Sequence, residues 1–401
     1  MRPSLYPIYH KSSGGAPLPV QFVSTWDTEL SDGTSSPSQT IVLPMTAGPL
    51  VDWGDGTVNN LNSHVYASGG IKTITIDNTN SDFRFNNAGD KIKIVDISQC
   101  NGLNVTNRDQ FKRCANLEWS ATDNPNIVST TLSNMFEGCV VLNGTSNFGG
   151  WDVSNVLSLS NMFFGCFDFT GGGIENWDVG SCTNFQQMFF AAHVLAAPIG
   201  VWDMSSATNI SGMFRSSNGF NQDIDDWVVS NVQQFNHVFA GANSFTQDLN
   251  SWDVGSATTC HAMFSGTYNG NITSWTFTST ISDMSWMFAG NNTFNQDISG
   301  WNVASVTNMS NMFGNTSSFD QDLTGWNVGS CTNMSTMFNN SGMSQANYDA
   351  YLINCDGQTV KPNVTLGAQN ISYTAAGAGG TARTNLAGAP DLWTFVGDIA
   401  N

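Results

Sequence analysis

Apolar residues recur along most of this chain in a beat of about 25 residues. Met-Phe pairs stand at 135–136, 162–163, 188–189, 213–214, 263–264, 287–288, 312–313 and 337–338; Val238-Phe239 fills the one gap, and Gln110-Phe111 reads as a degenerate earlier copy. Trp keeps the same beat at Trp151, Trp177, Trp202, Trp227, Trp252, Trp275, Trp301 and Trp326. Eleven residues separate each Trp from the next Met-Phe position, except after Trp275, where there are twelve. The remaining length variation falls between the Met-Phe and the following Trp. The Trp-to-Met-Phe stretch is therefore the rigid half of each unit, and the other half is a loop.

Inside the rigid half every third residue is apolar, as in Val303, Val306, Met309 and Met312, with Asn, Ser and Thr between. Such spacing imitates an amphipathic helix, but the intervening residues are poor helix formers. The pattern predicts a mainly β protein: a leucine-rich-repeat-like solenoid of about ten 25-residue coils, one short parallel strand per coil, with Trp and Met-Phe in continuous internal columns. A lone coil cannot bury its own apolar face, so coils must stack and their ends must be capped. Upstream, VDWGDGTVNN reads as a hairpin turn and IKTITI as an alternating strand, which predicts a small β-sandwich over residues 20–95. The solenoid is expected over 96–345 and a Gly/Ala-rich C-terminal cap over 346–401. Residues 1–19, with Pro3, Pro7, Tyr6 and Tyr9 ahead of an SSGGA hinge, read as a docking arm that orders against a partner. An irregular coil is expected at 267–287, where the Trp-to-Trp step is short and the following offset long.

Charge narrows the choice of partners. Twelve basic residues face 31 acidic ones in 401, a formal net charge of −19, and only 11% of the chain is charged. Without Lys/Arg clusters, nucleic acid and anionic membrane surfaces are disfavoured. There is no run of 18 apolar residues to insert into a membrane, and the first 19 residues lack the apolar stretch of a signal peptide. The expectation is a protein not exported by the usual route. The eight Cys carry no CxxC, and Cys114, Cys139 and Cys166 each follow a repeated Phe by three. They read as small, free, buried core residues folded in a reducing cytosol.

The repeats WNVASVTNMSNMFGNTSSFDQDLTG (301–325) and WVVSNVQQFNHVFAGANSFTQDLNS (227–251) resemble the BspA-like leucine-rich-repeat surface proteins, over about residues 105–345. WGDGT followed by His64-Val65-Tyr66 resembles the start of a PKD-type immunoglobulin-like domain. The resemblance implies a surface-exposed adhesion or interaction role, found on bacterial surfaces and in phage-encoded proteins.

Catalytic chemistry finds little footing. There is no HExxH and no GxSxG, and GAGGTAR (377–383) lacks the GK[ST] ending and the strand–helix context of a phosphate loop, so it reads as cap backbone. Asp residues form two columns, one directly after the Trp (Asp152, Asp178, Asp203, Asp253) and one four before it (Asp223, Asp248, Asp297, Asp322). Turn capping is the ordinary reading. A calcium-binding ladder over Asp223, Asp248, Asp253, Asp297 and Asp322 is the sharper one; otherwise no cofactor is expected. The exposed strand face is expected to be polar and uncharged, with Asn236, Asn308 and Asn311 among its residues, which suits carbohydrate or a protein groove. His237, His261 and Trp286 interrupt it on consecutive coils as a candidate patch; alternatively, Trp286 fills a gap left by the irregular coil. The expected function is a non-enzymatic phage virion protein. It would act in host attachment or as a fibre or decoration, bound to other virion proteins through the arm and to a host glycan or protein through the coils. A secreted bacterial adhesin is the alternative and a carbohydrate-active enzyme a distant third.

Overall fold

The computed structural model describes residues 20–77, 83–143 and 147–401; Pro3, Tyr6, Pro7 and Tyr9 lie outside them. The protein is mainly β, with few helices. The strands β1 (Phe22–Asp27), β2 (Thr40–Val42), β3 (Val51–Asp52), β4 (Val58–Asn59), β5 (Ser63–Val65), β6 (Ile71–Ile76) and β7 (Ile94–Gln99) build the N-terminal part. β1 alternates strictly, burying Phe22, Ser24 and Trp26, as a strand with one core-facing side must. β2 pairs only with β5, and β4, β3, β6, β1 and β7 follow one another in the larger sheet. Two side chains tie the WGDGT turn to the β5 segment. Tyr66 donates its hydroxyl to the Trp53 carbonyl at 3.0 Å, and His64 meets the Asp55 carboxylate at 2.7 Å. Gly54 holds φ 76, and a Cβ there would stand 2.3 Å from the Thr73 carbonyl oxygen, so only glycine fits.

β7 belongs to both parts of the molecule. It pairs antiparallel with β1 on one side and parallel with β9 (Glu118–Trp119) on the other. β8 (Asn104–Val105) and β10 (Asn126–Ile127) pair parallel in the same way. A chain of single parallel bridges comes next, linking Thr131, Ser158, Asn184, Asn209, Gln234, Thr259, Asp283, Asn308 and Asn333 in turn. Each repeat thus lays one bridge residue beside the next. Around it, backbone N–H groups donate to carbonyls of the following repeat, as Phe313 does to Met337 at 2.9 Å. The ladder passes through Met334 and Leu366 into β11 (Thr365–Gly367), which pairs with β13 (Thr394–Val396), while β12 (Ser372–Tyr373) pairs with β14 (Ile399–Ala400).

Aromatic columns run through the stack. Successive rings from Phe111 to Phe338 lie 5.7–5.9 Å apart, and the Trp rings from Trp151 to Trp301 lie 6.0–6.5 Å apart. Most of these Trp donate Nε1–H to a carbonyl of the preceding repeat, as Trp252 does to Ile224 at 2.9 Å. The helix α1 (Gln345–Asp356) closes the far end, setting Tyr348 and Tyr351 edge-on against Phe338. The GAGGTAR stretch comes after β12 and forms the first turns of α2 (Ala378–Ala387). A strand-to-helix context was not expected there. Its glycines let α2 approach closely: a Cβ on Gly379 would meet the Asp349 carboxylate at 2.2 Å.

The Cys at the third place after Phe are not merely apolar fillers. Cys139 and Cys166 donate Sγ–H to the preceding repeat's Phe carbonyl at 3.1 and 3.0 Å. Ser217, Asn291 and Thr316 make the same bond from the same place. Deviation at 267–287 has a visible cause. The loop after Phe264 is two residues short, and Tyr268, four places after Phe264 instead of six, enters the aromatic column, stacked 4.2 Å from Phe264 and 5.8 Å from Phe245. In the next repeat Trp301 has a buried Nε1–H without a partner and meets Phe277 edge-on at 5.1 Å.

Candidate functional site

The three-residue apolar spacing comes from a succession of turns, not a helix. Met312 N–H bonds to the Met309 carbonyl, and the residue just before each Met-Phe position then takes a left-handed conformation. Asn134, Asn161, Gln187, Gly212, His237, Ala262, Trp286, Asn311 and Thr336 all sit there with φ between 51 and 64. Asn and Gly tolerate this region; for a bulky side chain it is an outlier. Trp286 at φ 60 is thus the unusual residue of the series, and it shares one side of the stack with His237 at φ 57. Twelve of the thirteen Trp are at most 4% exposed, whereas Trp286 is 49% exposed. It fills no gap; Tyr268 does that.

Trp286 walls a shallow depression of about 400 Å³ shared with His237, His261, Asn311 and Arg215. The depression exists because the place after Phe, held by Phe164 and Phe190 in earlier repeats, is Ala240, Ser265 and Ala289 here. The imidazoles of His237 and His261 meet edge to face at 4.9 Å, and His261 Nδ1 is fixed by the Ser285 hydroxyl at 2.7 Å. Partial burial, with help from the nearby Arg215 and His261 charges, holds the His237 pKa down at about 4. The permanent cation of the depression is Arg215. Its guanidinium rests on the Phe190 ring at 5.7 Å, and among the described residues it enters no ion pair.

Of the expected surface residues, the structure brings His237, His261, Trp286 and Asn311 together. Asn311, expected on the exposed face, is 8% exposed, because its left-handed backbone lays it against Gly314. Asn236 and Asn308 stand outside the depression and serve the backbone. Asn236 Oδ1 accepts from His261 N–H at 3.1 Å, and Asn308 Oδ1 from Ser310 N–H at 3.1 Å. The Met-Phe periodicity says nothing of Arg215 or of the small residues beneath it. A signal was nonetheless present: Arg215 is the only Lys or Arg between residues 114 and 360.

The Asp columns close turns. Asp223, Asp253, Asp297 and Asp322 each accept the backbone N–H two residues on, at 2.8–3.1 Å, and Asp248 accepts Asn271 N–H of the next repeat at 2.7 Å. The Ser299 hydrogen bonds hold the Asp297 carboxyl below the usual range. Among the described residues no three His, Cys, Asp or Glu converge as a metal site.

A family model described as "Mycoplasma protein of unknown function, DUF285" matches four times, over residues 79–172, 106–199, 160–275 and 245–351. No curated protein and no solved structure matches the chain.

Proposed function

We propose, from the premise that this chain belongs to the DUF285 family of Mycoplasma proteins of unknown function, that it is a non-enzymatic binding protein: a leucine-rich-repeat-like solenoid of the BspA-like kind behind a PKD-like sandwich. It displays one polar side to the surface of a host cell. The observation that carries this reading is Trp286, half exposed at φ 60 over a depression in that side. Every repeat makes that left-handed turn, but at Trp286 it carries a large, half-exposed indole that the turn itself does not require, and contact with a ligand explains it. The aromatic columns and the inter-repeat ladder supply the rigid scaffold such a surface needs.

The setting we propose is a bacteriophage virion, with residues 1–19 as the docking arm. Eight free, buried thiols support assembly in a reducing compartment, as a virion part undergoes, over folding outside the cell. A cell-surface adhesin is the second reading, favoured by the Mycoplasma description of the family. Mass spectrometry of purified particles separates the two. Full-length protein in the particles, and its loss on deletion of residues 1–19 with the repeats still folded, is the expected result. Absence of the full-length chain from particles, or normal occupancy by the truncated chain, overturns the virion reading.

A further inference from the structure

We propose that the depression beside Trp286 binds a sugar unit bearing a carboxylate. The inference rests on the binding role proposed above and names the ligand class of that site. Three independent features converge on it. The first is the ring: Trp286 is the one exposed Trp of thirteen, and it stands where other repeats carry smaller residues, such as Asn161, Gln187, Ala262 and Asn311. The turn is the same in every repeat and suits Asn better than Trp, so the half-exposed indole is no requirement of the fold and presents a flat apolar platform. Sugar rings offer apolar C–H faces to such platforms.

The second feature is charge. In a chain of net charge −19, a stretch of almost 250 residues holds one Lys or Arg, and that residue is Arg215 in this depression. Phe190 covers one side of the guanidinium. No carboxylate of the described residues pairs with it, so its donors remain for a carboxylate from outside. The third feature is the set of partners for hydroxyls. His237 and His261 border the same space, and the His261 ring is held by Ser285. A small floor of Ala240 and Ala289 makes room for a ring over it. A neutral sugar would leave Arg215 unused, and a purely anionic ion would leave Trp286 unused; an acidic sugar engages both.

The test is calorimetric titration of the full chain with oligogalacturonate, a neutral galactose oligomer of equal length, and a sulfated one. Wild type should bind the carboxylated oligomer about tenfold or more tighter than the neutral one, the size of one charge-assisted contact. Arg215→Gln should erase that preference. Trp286→Asn should weaken binding of every oligomer about tenfold or more while raising the unfolding midpoint, because Asn suits φ 60; a loss of binding through misfolding would lower it. The proposal fails if wild type binds none of the carboxylated oligomers at millimolar concentration, if the sulfated oligomer alone is preferred, or if Trp286→Asn binds as wild type does. Adhesion of labelled protein to host cells is measured in parallel. Wild-type adhesion unchanged in both variants sinks this site and leaves the binding role standing; no adhesion by wild type sinks the role itself.

Discussion

The indole hydrogen bonds offer an internal comparison for the energetics of the stack. Trp252 and Trp301 are both at most 2% exposed and both stack on a Trp neighbour at 6.5 and 6.0 Å. Trp252 donates Nε1–H to the Ile224 carbonyl at 2.9 Å, whereas Trp301 Nε1 is buried without a partner. Replacing either with Phe removes the same ring atoms and costs a fraction of the about 3–5 kcal/mol of full truncation. At Trp252 the change also loses a hydrogen bond worth about 0.5–1.5 kcal/mol. The Ile224 carbonyl is not orphaned, because Trp227 N–H still bonds to it at 3.2 Å. At Trp301 the change removes a buried N–H whose unmet desolvation costs about 1–3 kcal/mol. Trp252→Phe should therefore destabilise more than Trp301→Phe, by at least about 1.5 kcal/mol. Urea titrations followed by circular dichroism give the midpoints, read at equal slopes. Hydrogen exchange of the flanking repeats shows whether the loss is local, as nearest-neighbour stacking requires. Equal midpoints for the two variants, or the reverse order, would refute the assignment of the indole bonds as stabilising.

Three further outcomes are expected. Burial raises the thiol pKa of Cys114, Cys139, Cys166 and Cys260, so a thiol reagent at pH 8 should label none of the eight Cys in the native protein and all eight after denaturation; fewer than six in the denatured chain would contradict free thiols. Thr316→Cys should be tolerated, since Cys139 and Cys166 make the same bond, while Thr316→Val should cost about 0.5–1.5 kcal/mol by losing the 2.7 Å bond to Phe288, whose carbonyl keeps the Asn291 N–H at 2.9 Å; equal urea midpoints for the two would count against that column. His237 titrates near 4 in the folded protein and near about 6.5 in the unfolded chain. The unfolded chain thus binds more protons between those values, so this contribution is full above about pH 6.5 and is lost as pH falls toward 4. His237→Asn should flatten that stretch of the thermal-unfolding profile, and a profile parallel to wild type would rule the linkage out.

The 25-residue beat alone determined that the chain is mainly β and built of repeats, because burial of Trp, Met and Phe at fixed places is a local, periodic demand that each copy repeats. It also located the irregular segment, since a missing pair of residues is visible by counting. It did not reveal that Tyr268 fills the shortened place, because that depends on which side chain reaches a column from a loop cut by two. Turn chemistry was legible in most of the Asp columns, where Asp223, Asp253, Asp297 and Asp322 cap their own turns; Asp248 was not, because the N–H it accepts belongs to the next repeat. The Cys were legible as buried but not as donors, because the Phe carbonyl they reach lies in another repeat. The depression is the clearest division. His237, His261 and Trp286 stood out in the sequence as interruptions of a polar pattern. Arg215 comes from an earlier repeat, and the small residues beneath it are ordinary one by one. Only stacking of five consecutive repeats brings them to one place, and only the backbone shows that Trp286 occupies a left-handed position better suited to Asn.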